Sequence, residues 1–251
     1  MKYQVFSDIL LVFAFAVTIS GDKALPNNNL EEQVLTLFNK WQKGKVHTGL
    51  FQLPSLKSIS IEKIQENYYE EMGIKILYAI GKMKLTGLDN FSVEALDIAQ
   101  TKNNLIISAT VLIPKLTLYS DTYTLVGRAY YVYSLKGNGA MTIVSRNNVV
   151  SINIVFNNVD DIYTSVSNFS LKYSTSIVEV NLENSSWPIN EVLNSEGVNI
   201  LKSYHENISD IVRDYVVPNA NEYLSRVTFK DFLNIITYIG TKSYVIEKME
   251  K

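Results

Sequence analysis

The sequence predicts an α+β fold: a short N-terminal helix, then a long antiparallel β-sheet, then a long C-terminal helix, and a highly curved sheet wrapped around that helix would bury both. Three observations support this class. Apolar residues recur at helical spacing near the N-terminus, alternate with period two through the middle of the chain, and return to helical spacing towards the C-terminus. A long apolar helix stripe needs a partner surface, and the predicted sheet provides it.

The first predicted helix covers residues 30–41. The acidic pair Glu31 and Glu32 lies in its first turn, where the helix dipole favours negative charge, and Gly44 ends it. Its apolar face consists of Leu30, Val34, Leu37, Phe38 and Trp41. Residues 50–61 contain Pro54 and little periodicity, so they are predicted to connect the helix to the sheet.

The sheet is predicted from about residue 71 to residue 182, a region rich in Tyr, Val, Ile and Thr. The apolar positions that share one face are Leu105, Ile107, Ala109, Val111 and Ile113, then Val150, Ile152, Ile154 and Phe156, then Val178, Val180 and Leu182. Turns are predicted at residues 102–104, 120–121, 136–139, 146–148 and 174–175. This spacing is typical of an antiparallel meander with long strands.

The C-terminal helix is predicted to begin near Pro188. Its apolar stripe consists of Val192, Leu193, Leu201, Tyr204, Ile208, Ile211, Val212, Tyr215, Tyr223 and Leu224. Pro218 is expected to kink or divide it. No repeat or compositional break indicates a second domain, so residues 21–251 are predicted to form one domain.

Residues 1–20 are predicted to be a secretory signal peptide. Lys2 is followed by an apolar run, residues 9–19, that is too short to span a bilayer, and small residues cluster at its end. The alternative is a buried N-terminal helix, which Asp8 leaves open. No later run is long and apolar enough for a membrane span.

Composition narrows the classes of partner. Net charge is −2, with 23 basic and 25 acidic residues, so the basic excess of a nucleic-acid binder is missing. The chain has no cysteine, which excludes a disulfide scaffold, a thiol nucleophile and a cysteine metal site. Candidate glycosylation sites, which favour a secreted, extracellular protein, are Asn90, Asn168, Asn184 and Asn207.

No catalytic, cofactor or metal motif is visible, so the sequence does not predict an enzyme. The two histidines, His47 and His205, lack the spacing of a zinc site. There is no G-x-S-x-G elbow and no phosphate-binding or dinucleotide fingerprint. Asp160 and Asp161 are read as a solvated turn, since they lack the alternating ligands of a calcium loop.

Four short segments resemble, in collinear order, the takeout and juvenile-hormone-binding protein family of insects. Residues 85–93 (LTGLDNFSV) are similar to its G-L-S-N-F-x-V segment, and residues 113–118 (IPKLTL) to its P-K-L-x-L strand. Residues 136–141 (KGNGAM) resemble its G-x-G hairpin. Residues 180–184 (VNLEN) resemble its strand end, although Ser185 replaces the final leucine.

The resemblance implies a tubular lipid-binding fold with an elongated apolar tunnel. It also implies extracellular transport, without catalysis, of a small hydrophobic ligand such as a terpenoid, a fatty acid or a similar lipid. The family's N-terminal cysteine pair is absent here. Either packing of Leu30, Val34 and Phe38 holds the first helix, or this end is looser, so hormone specificity is not carried over.

The residues expected to line this tunnel come from the C-terminal helix and the facing strands. They are Leu201, Tyr204, Ile208, Ile211 and Tyr215, opposite Tyr131, Tyr133, Met141 and Ile143. The tyrosine hydroxyls would bind more tightly a ligand that supplies a hydrogen-bond partner. Each of these tyrosines is otherwise an ordinary half-exposed residue.

Two other functions compete with the carrier, which is the first reading. Periodicity alone favours a filled core, and the tunnel rests on the resemblance. A secreted interaction domain with such a filled core would bind a receptor or another extracellular protein through an exposed apolar patch. A secreted hydrolase with an unrecognised site is the third reading.

Overall fold

The computed structural model describes residues 29–44, 55–71 and 73–241. The predicted signal peptide, residues 1–20, and His47 lie outside this part of the chain. The described residues form one curved, nine-stranded antiparallel sheet with helices, which confirms the α+β class. No helix in these ranges is both long enough and apolar enough to cross a membrane.

The elements follow the predicted order. The helices are α1 (Asn29–Gln42), α2 (Ile189–Ser203), α3 (His205–Leu224) and α4 (Phe229–Thr241). The strands are β1 (Ile59–Ile61), β2 (Ile64–Glu71), β3 (Ile74–Ile80), β4 (Met83–Thr86), β5 (Ser92–Gln100), β6 (Asn104–Ala129), β7 (Tyr133–Val159), β8 (Tyr163–Ser174) and β9 (Ile177–Leu182).

Two very long strands form the spine of the sheet. β6 has 26 residues and β7 has 27, and they pair from Asn104–Asn157 to Ala129–Tyr133. The other edge of β6 carries β5, β4 and β3 in succession, with β1 on β4 and β2 on β3. The other edge of β7 carries β9 and then β8. Every strand is therefore attached, directly or through one neighbour, to the same ribbon.

The predicted alternation matches the buried face. The apolar positions proposed for β7 and β9 are all buried, and so are those proposed for β6 except the partly buried Ile107. Because side chains of a strand alternate between faces, this pattern fixes which face of the ribbon contacts the core.

Three of the predicted turns are wrong. Residues 102–104 and 174–175 do connect strands, but residues 120–121 lie within β6, and residues 136–139 and 146–148 lie within β7. A register shift between Ser120 and Tyr123 and positive φ angles at Gly139 (146°) and Asn147 (53°) occur at these places. Polar residues and glycines here bend continuous strands, as bulges and glycine kinks do in curved sheets. The turn between β6 and β7 is at residues 130–132.

The predicted connecting stretch also contains regular structure. Its last residues form β1, which pairs with β4 through Ile59–Leu85 and Ile61–Met83. Strand β2 begins at Ile64, ahead of the predicted start of the sheet. Three residues are too few for period-two spacing to stand out, so β1 gave no sequence signal.

The single long C-terminal helix is corrected to three helices. The helical run breaks at Tyr204, between α2 and α3, and again after Leu224. Pro218 lies inside α3 and does not divide it. Pro218 and Asp214 are both exposed. Because proline has no N–H, the Asp214 carbonyl lacks its usual hydrogen bond within the helix. Water can satisfy that carbonyl, which explains how the helix tolerates the proline.

Asparagine side chains attach α2 and α3 to the sheet. Asn190 and Asn194 of α2 each accept a hydrogen bond from a backbone N–H of β9 and donate one to the carbonyl of the same residue, Leu182 and Val180 respectively. Asn221 of α3 makes the same pair of bonds with Val166 of β8. In the described sheet β8 and β9 each have one strand neighbour, so the amides satisfy backbone groups at its edge.

Helix α1 packs against α4 and β5. Val34 and Phe38 are buried as expected, and two polar contacts add to this packing. The buried Glu31 carboxylate accepts a hydrogen bond from the Ile98 N–H (3.4 Å), and the Gln42 amide donates to the Phe91 carbonyl (3.0 Å). The first helix is thus held to the sheet without a disulfide.

Candidate functional site

The break between α2 and α3 lies at the centre of the candidate site. The ring of Tyr204 packs against that of Tyr69 in β2, with ring centroids 5.8 Å apart. Tyr69 is buried, so its side chain fixes the break against the inner face of the sheet.

A pocket of about 570 Å³ opens beside the same break, between it and the end of β8. Val198, Leu201 and Tyr173 supply its apolar surface. The polar residues around it are Ser174, Thr175, Lys202, Ser203, His205 and Glu206. A pocket that combines apolar surface with polar side chains can hold a small organic molecule that carries both kinds of group.

The location of this pocket reveals the curvature of the sheet. β2 and β8 are not neighbours, yet Tyr69 of β2 and Tyr173 of β8 both reach residues 201–206. The sheet therefore curves around the junction of α2 and α3.

A buried hydrogen-bond network lies behind the pocket. The Tyr173 hydroxyl donates to the Asn148 side-chain oxygen (2.8 Å), and the Asn148 amide donates to the carbonyls of Ile113 (2.9 Å) and Ser145 (3.2 Å). Burial raises the pKa of the Tyr173 hydroxyl, since the anion would lose its hydration. The network holds the tyrosine ring at the pocket in one orientation.

Four of the predicted lining residues belong to the hydrophobic core or pack against it. Met141 is buried in that core, and Ile143, Leu201 and Tyr204 are partly buried side chains at its surface. Leu201 also lines the pocket. The side chains of the other three predicted helix residues, Ile208, Ile211 and Tyr215, lie outside the described side chains.

Two of the predicted lining residues are corrected. Tyr131 is exposed at the tip of the β6–β7 hairpin, and Tyr133 packs edge-on against Trp187 with ring centroids 5.8 Å apart. The prediction assumed that the strand continues through residue 131. Positive φ angles at Tyr130 and Tyr131 instead reverse the chain and turn these side chains outward.

The main residues that sequence reasoning missed are Val198, Tyr173 and Asn148. Val198 lies on the helix turn before Leu201, so a wider apolar stripe would have included it. Tyr173 continues the buried alternation of Phe169 and Leu171 in β8. Asn148 had no usable signal, because an asparagine beside another asparagine indicates a turn more often than a buried hydrogen-bond hub.

Three of the predicted glycosylation sites are accessible. Asn90, Asn168 and Asn184 have exposed side chains, whereas the side chain of Asn207 is outside the described set. His205 lines the pocket. Among the described residues, no three His, Asp or Glu side chains are grouped so that they could hold a metal ion.

A second cavity of about 330 Å³ lies across β5 to β8. Four of its polar residues pair with one another: the Thr110 and Ser151 hydroxyls are 3.1 Å apart, and Asn153 donates to Ser108 (2.7 Å). These four groups already have partners within the protein, which leaves them less available to a ligand.

Comparisons with known proteins agree with this architecture. The chain is similar in fold to the crystal structure of Epiphyas postvittana Takeout 1, with a TM-score of 0.55 and 12% sequence identity over 78% of this chain and 91% of that one. A lipopolysaccharide binding protein aligns with 11% identity over 70% of this chain and 35% of the other, but its TM-score of 0.38 is too low to indicate a shared fold. No curated protein sequence matches the chain.

The sequence itself assigns the family. The sequence model described as haemolymph juvenile hormone binding protein matches residues 10–234, which is most of the chain. The match extends from the predicted leader through α1 and the whole sheet into α4. This chain therefore belongs to the haemolymph juvenile hormone binding protein family.

Proposed function

We propose that this protein binds a small hydrophobic ligand between its helices and its curved sheet, and carries it outside the cell. The proposal covers terpenoids, fatty acids and similar lipids, and it assigns no catalytic step. The family match over residues 10–234 is the observation that carries it, because the model that matches is that of a hormone-binding protein. The predicted signal peptide, residues 1–20, and the exposed sequons are consistent with secretion.

The pocket at the α2–α3 break supports the proposal as the place where a ligand enters. Its apolar residues Val198 and Leu201 belong to the aliphatic surface that packs on the core, so an apolar chain placed here would continue into that surface. We propose that Leu201 and Tyr204 contact the ligand first. We also propose that Met141 and Ile143, which belong to the same extended core, line its path further in.

Apolar burial would supply most of the affinity. Each buried methylene contributes about 0.8 kcal/mol, so a ligand of ~15 carbons offers on the order of 10 kcal/mol before the costs of association. Those costs reduce the net affinity to roughly the micromolar to nanomolar range. The pocket residues His205 and Lys202 are placed to receive a polar head group, which would select among ligands of similar length.

The first experiment is organic extraction and mass spectrometry of the protein secreted from eukaryotic cells, with a native mass measurement beside it. We expect a stoichiometric apolar adduct that is lost on denaturation. Uptake of fluorescent fatty-acid and terpenoid probes by the delipidated protein is the second readout. A clean ligand-free mass together with no uptake of any probe would reject the carrier function.

A pair of matched variants locates the site. Leu201→Trp fills the pocket and should reduce probe uptake strongly, whereas Leu77→Trp places the same side chain on an exposed position of β3. We expect Leu77→Trp to take up probe like the unmodified protein. Equal uptake by the two variants would place the ligand elsewhere.

A further inference from the structure

The tip of the β6–β7 hairpin exposes an unusual concentration of aromatic side chains. Here the aromatic tip denotes Tyr130, Tyr131, Val132 and Tyr133 together with Trp187, whose ring packs on Tyr133. Their exposed fractions are 43%, 91%, 80%, 38% and 72%, respectively. A cluster of large apolar residues that remains so exposed marks a surface that contacts something apolar.

A second hairpin in the same sheet shows that turn geometry does not require these residues. In the β7–β8 hairpin, Asp160 and Asp161 have φ angles of 53° and 59°, against 48° and 60° for Tyr130 and Tyr131. In both hairpins the third turn residue donates its N–H to the carbonyl that ends the first strand, Ile162 to Val159 (2.9 Å) and Val132 to Ala129 (3.2 Å).

The two tyrosines occupy backbone conformations that bulky residues disfavour, so the preferences of the turn do not explain them. Asp and Asn tolerate the left-handed region because their short side chains bond to the nearby backbone, whereas a bulky residue there is strained. The chain uses aspartates in one of these turns and tyrosines in the other. Strained residues that persist in one of two equivalent turns point to a function for that turn.

The aromatic tip is held in place by the rest of the molecule. The Tyr130 hydroxyl donates to the Glu196 carboxylate of α2 (3.1 Å), and the Tyr130 N–H donates to the Gly73 carbonyl (2.7 Å). Ser186, next to Trp187, bonds to the carbonyls of Ser134 and Lys136. The exposed side chains therefore project from a fixed base.

Positive charge lies directly behind the tip. Arg128 and Lys136 are exposed, and neither makes a salt bridge with any residue that the structure describes. Lys75, which lies opposite Arg128 in the register, pairs with Glu70 (3.2 Å), so Arg128 and Lys136 are the cations near the tip that remain available to a partner. A negatively charged partner surface would complement these two charges.

We propose that the aromatic tip docks this protein onto the surface of a phospholipid membrane. Tyrosine and tryptophan concentrate at membrane interfaces, where the ring contacts the acyl boundary and the polar atom stays hydrated. Arg128 and Lys136 then lie at the depth of the phosphate groups. A bilayer accepts a convex, projecting tip without a matching concavity, and this geometry favours it over a protein partner. The inference goes beyond ligand binding and does not depend on it.

The two tryptophans make the proposal directly measurable. Trp41 is buried at 2% exposure, so a change of environment on docking acts on the exposed Trp187. We expect vesicles of phosphatidylcholine containing a minority of phosphatidylserine to shift the emission to shorter wavelength and to co-sediment the protein. Pure phosphatidylcholine vesicles should bind it more weakly, because they do not attract the cations.

The double variant Tyr131→Asn/Val132→Ser tests the tip itself, since it removes the most exposed apolar surface and suits the turn. We expect vesicle partitioning to fall by about tenfold or more, which is the loss expected from one buried apolar side chain. The matched control is Ile162→Ser in the equivalent β7–β8 turn, which should bind vesicles like the unmodified protein. Thermal unfolding of all variants verifies that they are folded.

Three outcomes would overturn the proposal: no vesicle binding by either measurement, equal losses in the double variant and in Ile162→Ser, or a lipid-independent dimer that the double variant abolishes. The last would assign the tip to self-association. Ligand binding is scored separately, because the double variant should keep its probe uptake and Leu201→Trp should keep its vesicle binding.

Discussion

Asn194 of α2 and Val180 of β9 exchange two hydrogen bonds, with the asparagine amide taking the place that a neighbouring strand would occupy. The amide oxygen accepts from the Val180 N–H, and the amide nitrogen donates to the Val180 carbonyl (3.1 Å). The helix thus recognises the backbone of the strand, and the contact does not depend on which side chains β9 carries.

Removal of this amide should destabilise the protein. Asn194→Ala leaves the Val180 N–H and carbonyl without that partner, and a hydrogen bond of this kind contributes about 0.5–1.5 kcal/mol net. Chemical denaturation measures the loss, and the Val180 amide should exchange its hydrogen faster. Asn199→Ala, an exposed position on the same helix, is the control and should change stability by less than about 0.5 kcal/mol. Equal effects would show that the bonds add nothing to stability.

Gly137 and Tyr123 should be energetically coupled. A Cβ on Gly137 would lie 2.3 Å from the Tyr123 hydroxyl oxygen, which donates to the Glu183 carbonyl (2.6 Å). Gly137→Ala is therefore expected to destabilise the fold by roughly 1–3 kcal/mol through overpacking.

Tyr123→Phe is the partner variant for a double-mutant cycle. It removes the clashing oxygen, so the double variant should lose less than the two single losses added together. Strict additivity in denaturation experiments would contradict the contact.

Tyr173→Phe should be destabilising, because it removes the hydroxyl that donates to the buried Asn148 side chain. We expect a loss of about 1–3 kcal/mol. Tyr119→Phe, which breaks an exposed bond to Asp121, should cost much less. Equal Tm shifts for the two variants would contradict this account of the network.

Alkaline pH should separate the tyrosines whose pKa is raised by burial from those whose pKa is not raised. Burial raises the pKa of Tyr78, Tyr123, Tyr173 and Tyr223, so these hydroxyls keep their protons in the folded state when those of the unfolded chain ionise near pH ~10. Their contribution to stability is complete below that pH and is lost as the pH rises through the folded pKa. Tyrosinate absorbance should therefore rise in two stages, the second coinciding with loss of the fold. A single stage for all 16 tyrosines would contradict it.

Glycan attachment is expected at Asn90, Asn168 and Asn184, whose side chains are exposed. Substitution of each by Gln in protein secreted from eukaryotic cells should remove one glycan mass and leave probe uptake unchanged. Enzymatic deglycosylation followed by mass spectrometry counts the occupied sites. A secreted protein with the bare polypeptide mass would contradict the expectation.

The sequence predicted the sheet better than the helices. Alternation identified the buried faces of β6, β7 and β9, because each is longer than the pattern needs. The apolar stripe marked the C-terminal helices but not the break at Tyr204, since an apolar residue at a break keeps the helical spacing. The strand bends at Gly139 and Asn147 were read as turns, because the same residues supply positive φ angles in both settings.

The candidate site was predictable in part. Leu201 and Tyr204 could be identified because the helix stripe passes through the α2–α3 break. The prediction that Tyr131 and Tyr133 line the tunnel was wrong, because the turn at residues 130–132 contains no Gly, Asn or Asp from which it could be predicted. Tyr173 and Asn148 belong to different strands, and their hydrogen bond follows from a register that one sequence does not reveal.

The β6–β7 ribbon also bears on how the chain reaches this fold. Its innermost pair, Ala129–Tyr133, encloses the three-residue turn alone, and each further pair outwards to Asn104–Asn157 extends a ladder that already exists. Closing a small loop first and then zipping costs less chain entropy than joining distant segments directly. The other strands then attach to a completed template. Although most contacts of a β-sheet are remote in sequence, this topology makes its longest ribbon a product of local steps, and so favours faster folding than strand count alone suggests.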